Sequence, residues 1–457
     1  MDVKWMIQQV SSKIIKPSIP TPSHLRTYMV SLLDQLTVAS YIPVALFYPQ
    51  NKSSNQISQI LEKSLSEILT SYYPFCGTLS ADGNSVECND KGASFSEVVI
   101  KCPMSEFIKE TNVRFQDLVF SNKLAWGNSC PEDYLLFVQL THFECGGKAL
   151  SFRISHRIAD ACSLVNFLTD YATLNAALLL SDGGHAVYHE RPSPQFIGAS
   201  LLPPTNGRPS PSFTKESNEG VVCKRFTFSG KSLAQLKALV AAEDDDLLYS
   251  SSGTNKPRYI TRVELVTALL FKCAVAATAK ACPQLQGSTL LIKPSNLMQV
   301  ANLRRLTTPQ LAPNVVGNWY TYMDLVVENE DQMKLSRFVK ELKKEKLELK
   351  ERMKKYYNGC SKNDLSKQVV ENDEKMAVRY EKDVYLCSSF CGYPLYEIDF
   401  GFGKPIWTIL GSVYTEKVFF LMDNPEGDGV EALVTLEEKV MSLFENEEEI
   451  STFSSFI

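Results

Sequence analysis

The sequence predicts an α/β protein that is divided into two domains. Its 457 residues are long for one domain and sufficient for two. Helix-like and strand-like patterns alternate without a regular strand–helix–strand repeat, and no Gly-x-Gly-x-x-Gly follows a strand. Six prolines, mixed with Ser and Gly, exclude long regular structure from residues 191–220. We therefore expect an N-terminal domain of residues 1–200, a crossover linker of 201–222 and a C-terminal domain of 223–457.

Helical and extended patterns can be placed in order along the N-terminal half. Residues 55–71 carry apolar side chains at helical spacing, and this helix should end before Pro74. Residues 134–144 and 148–156 are typical of two strands joined by a hairpin at Gly146 and Gly147. Asp160 can then cap a helix. The buried stripe of that helix is expected to comprise Leu164, Val165, Leu168, Tyr171 and Ala172.

The C-terminal half begins with a strand at 221–228 and a helix around 231–242. Thr261 and Glu264 form a capping-box pattern before an apolar helix at 263–280. A long helix dense in Lys and Glu is expected at 330–357, with a solvated charged face. Its apolar positions are Met333, Phe338, Val339 and Leu342.

The overall composition excludes several classes of protein. A hydrophobic fraction of 44% and a charged fraction of 22% are ordinary for a globular protein. The net charge of −5 disfavours nucleic acid or an anionic membrane as the main partner. The start of the chain lacks a signal-peptide core, and no apolar run is long enough to span a membrane. We therefore expect a cytoplasmic protein.

The cysteines do not form the pattern of a metal site or of a disulfide framework. The sequence contains twelve, at scattered spacings and without a Cys-x-x-Cys pair. In a cytoplasmic protein the thiols should be reduced and mostly buried. We expect no bound metal.

The most informative residue is His156, which is the last residue of the apolar strand predicted at 148–156. The two-residue period of a strand puts it on the same face as Leu150, Phe152 and Ile154, so its side chain should point into the protein. A neutral imidazole there can take a proton from an alcohol near neutral pH. The alternative is a core histidine whose hydrogen bonds are satisfied within the protein.

Two motifs, taken together, resemble the two signatures of the BAHD acyltransferases. These are plant enzymes that move an acyl group from coenzyme A onto an alcohol or amine. The first motif is His156-x-x-x-Asp160, and the second is the run of residues 399–405, Asp-Phe-Gly-Phe-Gly-Lys-Pro. Smaller pieces resemble the family in the same order: Ser31–Gln35, Tyr73–Gly77, Arg262–Glu264, Asn302–Arg304 and Gly317–Asn318.

The resemblance implies a fold and a reaction. The fold would be two chloramphenicol-acetyltransferase-like domains, with mixed β-sheets flanked by helices and an active-site channel between them. His156 would act as general base in a ternary complex. The co-substrate would be an acyl-CoA, with no tightly bound cofactor. The stretch from Ser23 to Leu33 and the run Tyr396–Ile398 are most similar to members that acetylate alkaloids and terpenoids. Acetyl-CoA and a plant alcohol are therefore the expected substrates of a monomeric enzyme.

The resemblance also implies structural roles within the two motifs. Asp160 would pair with Arg304 and hold the histidine loop, in agreement with its capping position. Asp399, Gly401 and Gly403 would form a tight turn, because two glycines in three residues permit positive φ. Phe390 and Phe402 stand where the family frequently has Trp. Thr78 stands where many members carry Arg.

Candidates for contact with the thioester and with coenzyme A are less specific. Ser388 matches a family hydroxyl that is proposed to stabilise the oxyanion, and a strand serine bonded to backbone is an equal alternative. Lys256 and Arg258 precede the helix that starts after Thr261, where basic side chains and the helix dipole favour phosphate. A solvated loop with incidental charges is the favoured interpretation of these two residues.

Three other functions remain compatible with the sequence. A hydroxycinnamoyl- or benzoyl-CoA could replace acetyl-CoA as the donor, and an amine could replace the alcohol. A non-catalytic binding protein could use the same fold. A hydrolase could use His156 to activate water. Neither a P-loop nor a Gly-x-Ser-x-Gly elbow is present, so an acyl-enzyme on serine is not predicted.

Overall fold

The computed structural model describes most of the chain, and the elements are numbered here within the described residues. Those residues are 5–50, 56–110, 113–121, 126, 133–180, 192–205, 220–244, 259–282, 285–286, 289–290, 292–307, 309–359, 366, 369–370, 383–413 and 415–456. The strands are β1 (Ile7–Ile15), β2 (Thr27–Met29), β3 (Tyr41–Tyr48), β4 (Thr78–Leu79), β5 (Ser85–Glu87), β6 (Ala93–Ile100), β7 (Leu136–Phe143), β8 (Lys148–Ser155), β9 (Val221–Phe228), β10 (Leu285–Gln286), β11 (Thr289–Leu290), β12 (Ser295–Asn302), β13 (Tyr320–Val327), β14 (Asp383–Ser389), β15 (Trp407–Ile409), β16 (Val418–Asp423), β17 (Val430–Glu437) and β18 (Ser455–Phe456). The helices are α1 (Leu32–Gln35), α2 (Ile57–Ser71), α3 (Met104–Ile108), α4 (Val113–Gln116), α5 (Ala161–Leu180), α6 (Gly198–Leu201), α7 (Gly230–Glu243), α8 (Arg262–Ala281), α9 (Leu335–Gly359), α10 (Glu438–Phe444) and α11 (Glu448–Phe453).

The first large sheet has the strand order β1-β6-β7-β8-β3-β15. Its pairs are antiparallel except for β6 and β7, which run parallel, so the sheet is mixed. Strands β7 and β8 form the predicted hairpin, and Gly146 provides the left-handed conformation of its turn at φ +80°. Strand β15 comes from the C-terminal half and pairs with β3. The second half of the chain therefore completes the sheet of the first half.

The second large sheet has the order β13-β12-β14-β16-β17-β9-β18 and is also mixed, with parallel pairs on both sides of β14. Side chains of β14 alternate between its two faces. Tyr385 and Cys387 lie in the core that includes helices α8 and α9. Leu386 packs instead against the core of the first sheet. One face of this sheet is thus covered by helices, and the other is turned towards the first sheet.

Side chains from both halves of the chain build the core between the two sheets. Phe420 and Leu433, on the second sheet, belong to the same buried cluster as Phe152 and Ile154 of β8. The cluster also contains Phe390 and Phe402, the two aromatic residues that depart from the family pattern. Burial of this apolar surface is the main contribution that holds the sheets together.

A buried ion pair within the second sheet also contacts the first sheet. Arg225 of β9 donates a hydrogen bond to Glu431 of β17 at 2.6 Å, and both side chains are almost completely buried. The Arg225 guanidinium also lies 4.6 Å from the ring centre of Trp407, which is in β15 of the first sheet. Gln116 of α4 accepts a further bond from this guanidinium at 3.3 Å.

Most of the predicted elements are confirmed within a few residues. The structure has α2, β7, β8, β9, α7 and α8 where the periodicity places them, and all five stripe residues of α5 are buried. The capping box of Thr261 and Glu264 is present. The predicted start of the long helix at residue 330 is wrong. Residues 330–332 form a 3₁₀ turn, Met333 is not helical (φ −84°, ψ 18°), and α9 begins at Leu335.

The predicted linker is described only in part. Residues 206–219 lie outside the described residues, while α6 precedes them and β9 begins just after them. The described cysteines are free thiols, and most of them are buried. Over the parts of the chain that the structure describes, no helix is both long and apolar enough to cross a membrane.

Candidate active site

His156 lies at the end of β8, at the junction of the two large sheets. Its backbone N–H donates to the carbonyl of Ser40 at 2.8 Å, which continues the β3–β8 pairing by one step. The strand therefore holds the main chain of His156 from the first sheet. Its ring centre is 5.8 Å from that of Tyr320, on β13 of the second sheet. The half-buried imidazole thus sits between the two sheets, as the parity of the strand predicts.

The imidazole is bonded to an asparagine from the second half of the chain. Nδ1 of His156 lies 3.0 Å from Oδ1 of Asn318. Nδ2 of Asn318 donates to the carbonyl oxygen of His156 at 2.6 Å and to Oδ1 of Asp34 at 2.8 Å. Asn318 is fully buried in the segment that precedes β13. One amide side chain therefore contacts both the ring and the main chain of His156.

The surroundings of His156 favour its neutral form. Removal of water by burial lowers the pKa of His156. This effect outweighs the nearby Asp160 carboxylate and the interactions of the ring with Asn318 and with the backbone of His156 and Ala159, which act in the opposite direction. The imidazole is therefore uncharged at neutral pH. A neutral imidazole can accept a proton, which is the requirement for a general base.

Asp160 and Arg304 meet as a buried ion pair. Nη1 of Arg304 donates to Oδ2 of Asp160 at 2.6 Å, and Nη2 donates to Oδ1 at 3.1 Å. Oδ1 also accepts from the backbone N–H of Ser163 at 2.9 Å, which is the predicted helix cap of α5. The backbone N–H of Trp319 donates to Oδ2 at 3.0 Å. The Asp160 carboxylate thus connects the start of α5 to two segments of the second half.

The charges of this pair stabilise each other. Burial alone would raise the pKa of Asp160, but the Arg304 guanidinium and the hydrogen bonds to the carboxylate lower it overall. Burial alone would lower the pKa of Arg304, and Asp160 raises it overall. Arg304 also donates to the carbonyl oxygens of Val315 and Gly317, at 2.9 and 3.0 Å. These contacts hold the segment that carries Asn318 next to the histidine.

The second motif forms a tight turn that packs against helix α5. Oδ1 of Asp399 accepts from the backbone N–H groups of Gly401 and Gly403, at 2.7 and 2.9 Å, and both glycines have positive φ (+94° and +99°). Asn175 of α5 donates to the carbonyl of Phe400 at 2.6 Å. A Cβ on Gly401 would lie 3.0 Å from Cα of Ala176, also in α5. The turn is thus a packing element between the two halves of the chain.

Cys162, in the first turn of α5, is packed and not prepared as a nucleophile. The residue is buried, and burial raises the pKa of its thiol, against the opposite effect of Arg304. The Sγ atom lies 3.9 Å from the carbonyl oxygen of Pro313. This thiol has hydrogen-bond contacts with Pro313 and Asn166, and neither is a base that could remove its proton.

The remaining predicted site residues are placed to different degrees. Ser388 lies on β14, half-buried, and by alternation its side chain is on the face opposite to Cys387, towards the first sheet. This orientation is compatible with the predicted oxyanion role. Lys256 and Arg258, the residues predicted to bind coenzyme A, lie outside the described residues.

Reasoning from the sequence did not assign a role to three residues of the site. Asp34 and Asn318 occur in the motifs that carry the family resemblance, and that recurrence is the signal that could have identified them. Tyr320, whose hydroxyl is 3.1 Å from Oγ1 of Thr37, follows Asn318 by two positions in the chain. Each lies far from His156 in sequence, so local patterns could not bring them to it.

Comparisons with known proteins show what the whole chain is similar to. A sequence profile of the Transferase family matches residues 5–451. The 17,18-epoxy-17-hydroxycur-19-ene N-malonyltransferase of Strychnos nux-vomica is 36% identical over 99% of this chain and 91% of its own length. The deacetylvindoline O-acetyltransferase of Catharanthus roseus is 34% identical over 98% of both chains. Among solved structures, vinorine synthase matches with a TM-score of 0.79 and 28% identity, over 99% of each chain.

Proposed function

The chain belongs to the Transferase family, the acyl-CoA-dependent BAHD acyltransferases, and we propose that it moves an acetyl group from acetyl-CoA to a hydroxyl of a plant specialised metabolite. The observation that carries the chemistry is the neutral, half-buried imidazole of His156 at the junction of the sheets. Acetyl as the donor group is supported by relatives of similar identity that are O-acetyltransferases of Catharanthus roseus.

The reaction requires one proton to move twice. His156 takes the proton of the acceptor hydroxyl while the hydroxyl oxygen bonds to the carbonyl carbon of the thioester. The tetrahedral intermediate then expels the coenzyme A thiolate as the C–S bond breaks, and the imidazolium returns the proton to that sulfur. Atoms and charges balance without a covalent enzyme intermediate. Ser388 is the proposed donor to the oxyanion, where such a bond is worth about 3 kcal/mol.

Acceptor and donor must be bound together for this direct transfer. We propose that acyl-CoA binds as a co-substrate, with Lys256 and Arg258 as candidate contacts for its phosphates. The acceptor would be an alkaloid or terpenoid alcohol, a proposal supported by the similarity to the deacetylvindoline O-acetyltransferase of Catharanthus roseus. We further propose that the enzyme is a cytoplasmic monomer.

A second candidate is transfer of a malonyl group to nitrogen. It is favoured by the N-malonyltransferase of Strychnos nux-vomica, which is as similar to this chain as the O-acetyltransferases are. Transfer to an amine uses the same base, since His156 would remove a proton from the attacking nitrogen as the C–N bond forms.

The experiment is an assay of thiol release from acetyl-CoA and from malonyl-CoA, with purified protein and a panel of plant alkaloid and terpenoid alcohols and amines. Mass spectrometry identifies any product that has gained one acyl group. Acceptor-dependent thiol release with an acetylated alcohol supports the proposal. A product that carries malonyl on nitrogen supports the second candidate. Thiol release that no acceptor accelerates would indicate a hydrolase and contradict both.

A further inference from the structure

We propose that Asn318 and Asp34 are positioning residues that hold the proton of the His156 imidazole on Nδ1, so that Nε2 is the nitrogen that takes the proton from the acceptor. The inference rests on the proposed function, because it assigns the atom of His156 that carries out the reaction.

The hydrogen-bond partners of Asn318 determine which end of its amide faces the ring. An amide has one end that donates and one end that accepts. On one side of Asn318 lie two acceptors, the carboxylate Oδ1 of Asp34 at 2.8 Å and the carbonyl oxygen of His156 at 2.6 Å. Neither acceptor can donate a hydrogen, so the NH₂ group must occupy that side. The oxygen of the amide therefore faces the imidazole, and the two hydrogens of the NH₂ group are both used.

The orientation of the Asn318 amide determines which nitrogen of the His156 ring carries the hydrogen. Oδ1 of Asn318 lies 3.0 Å from Nδ1 of His156, and an amide oxygen can only accept. A hydrogen bond at this distance requires that Nδ1 carries the hydrogen. Since a neutral imidazole carries one N–H, the other nitrogen has a free lone pair. The structure thus assigns Nε2 as the basic atom.

The contacts of Asp34 prevent the side-chain amide of Asn318 from flipping. Oδ1 of Asp34 accepts from both the backbone N–H and the side-chain NH₂ of Asn318, at 2.7 and 2.8 Å. Oδ2 of Asp34 accepts from the backbone N–H and the hydroxyl of Ser31, at 2.8 and 2.7 Å. A carboxylate with both oxygens so occupied acts as an acceptor only. Rotation of the Asn318 amide would place its oxygen against this carboxylate.

Burial makes the arrangement rigid. Asp34 and Asn318 are fully buried, and the capping box that Asp34 forms with Ser31 anchors it at the start of α1. Burial raises the pKa of Asp34, and its hydrogen bonds to Ser31 and Asn318 act in the opposite direction. Unpaired polar groups at these positions would be costly, so the protein has one favourable pattern of donors and acceptors.

The direct test is nitrogen NMR of protein labelled with ¹⁵N only in histidine, recorded at pH 8, which is above the lowered pKa of His156. The chain has five histidines, and His156→Ala identifies the signals of His156 by their loss. We expect a protonated Nδ1 and an unprotonated Nε2 in the wild-type protein. A wild-type spectrum with the hydrogen on Nε2 would overturn the proposal, whatever the activity of the enzyme.

Two variants test the roles of the positioning residues. Asn318→Ala should release the ring, so that both neutral forms are populated and kcat/KM falls by at least about tenfold, up to the roughly 10²–10⁴-fold that general-base help contributes. Asp34→Asn retains an oxygen that can accept from Asn318, and should therefore keep the hydrogen on Nδ1 with a smaller loss of rate. If Asn318→Ala leaves the His156 spectrum unchanged, Asn318 does not select the protonated nitrogen.

A matched control separates positioning from general stability. Asn424 is also buried, and its side chain holds the turn between β16 and β17 by accepting from the N–H of Gly429 at 2.8 Å. Asn424→Ala should lower the thermal midpoint without changing the protonated nitrogen of His156. Failure of the proposed function would appear differently, as thiol release that no alcohol or amine accelerates. The spectrum of the wild-type protein would still show which nitrogen of His156 carries the hydrogen, because that measurement does not depend on activity.

Discussion

Asp160 and Arg304 form a two-point ion pair that connects the histidine loop to the second half of the chain, with N–O distances of 2.6 and 3.1 Å. The imidazole of His156 is bonded instead to Asn318. We therefore propose that the carboxylate of the His-x-x-x-Asp motif is a structural anchor. The ring obtains its hydrogen-bond partner from a different segment.

Loss of the Asp160 charge should destabilise the protein as well as inactivate it. Asp160→Asn leaves Arg304 buried without its counter-ion, a change that typically costs about 3–5 kcal/mol. The thermal midpoint should fall together with turnover. Arg304→Gln should behave in the same way, and the double variant should cost less than the sum of the two single ones. An Asp160→Asn protein as stable as the wild type, but without turnover, would show that the carboxylate acts in the chemistry.

The ion pair also predicts how stability depends on acid. Since the folded protein holds the pKa of Asp160 below that of the unfolded chain, the unfolded state binds more protons in this range. This contribution is fully present above the unfolded pKa near 3.9 and is lost as the pH falls through the lower folded value.

Removal of the imidazole should abolish transfer and leave the fold intact. His156 is half-buried, and its main-chain bond to Ser40 does not involve the side chain. His156→Ala should therefore keep a native circular dichroism spectrum, while kcat falls by at least about 10²-fold. A variant that retained more than roughly a tenth of the wild-type kcat would contradict the role of general base.

The rate should depend on pH through the lowered pKa of His156. The neutral ring is the reactive form, so kcat/KM should be constant at neutral pH and fall as the pH drops through a value below the ordinary 6.5. The carboxylate of Asp160 raises the pKa of the ring through its charge, and the carboxylate of Asp34 is connected to the ring through Asn318. The ring of Tyr320 packs 5.8 Å away, centre to centre. A pH–rate profile of the wild type measures this limb. A limb at or above 6.5 would mean that burial does not control the titration.

The stability of the protein should also fall as the pH drops, because of the lowered pKa of His156. Below pH 6.5 the unfolded chain binds a proton at His156 more readily than the folded protein does, so His156 lowers stability as the pH falls. His156→Ala removes this dependence, and thermal melts between pH 5 and 7 should then show a shallower loss than the wild type.

The buried pair of Arg225 and Glu431 should be worth far more than an exposed pair. Glu431→Gln leaves the Arg225 guanidinium uncompensated between the sheets, at a cost of about 3–5 kcal/mol. The exposed pair of Lys404 and Glu397, 2.5 Å apart with both side chains at least 60% exposed, is the matched control. Glu397→Gln should change stability by no more than about 1 kcal/mol. Equal shifts of the thermal midpoint would show that burial of the pair is unimportant.

The two glycines of the second motif should differ in tolerance. Gly401 and Gly403 both have φ near +95°, which strains any side chain by about 1–3 kcal/mol. A Cβ on Gly401 would also meet Ala176, whereas the position at Gly403 is open. Gly401→Ala should therefore lower the thermal midpoint more than Gly403→Ala, and the difference measures the close approach to α5. Similar losses would mean that backbone strain alone matters.

Local signals in the sequence predicted much of the fold. The helical spacing and the stop before Pro74 located α2, and the capping box located α8, because short-range backbone contacts determine where helices begin and end. The predicted start of α9 is wrong because the acidic residues 330–332, which precede the helix, are compatible with both a 3₁₀ turn and an α-helix. Arg304 was found only through the resemblance to the family, and Asn318 was given no role.

The sequence alone determined that His156 ends a buried strand, that Asp160 caps the following helix and that two glycines allow a tight turn. Each of these depends on backbone geometry within a few residues. Tertiary structure decided which partners they meet: Arg304 is 144 positions from Asp160, and Asn318 is 162 positions from His156. Such pairs leave no periodic trace in a single sequence. They form only when the two sheets close around a common core, whose packing permits one arrangement of buried donors and acceptors.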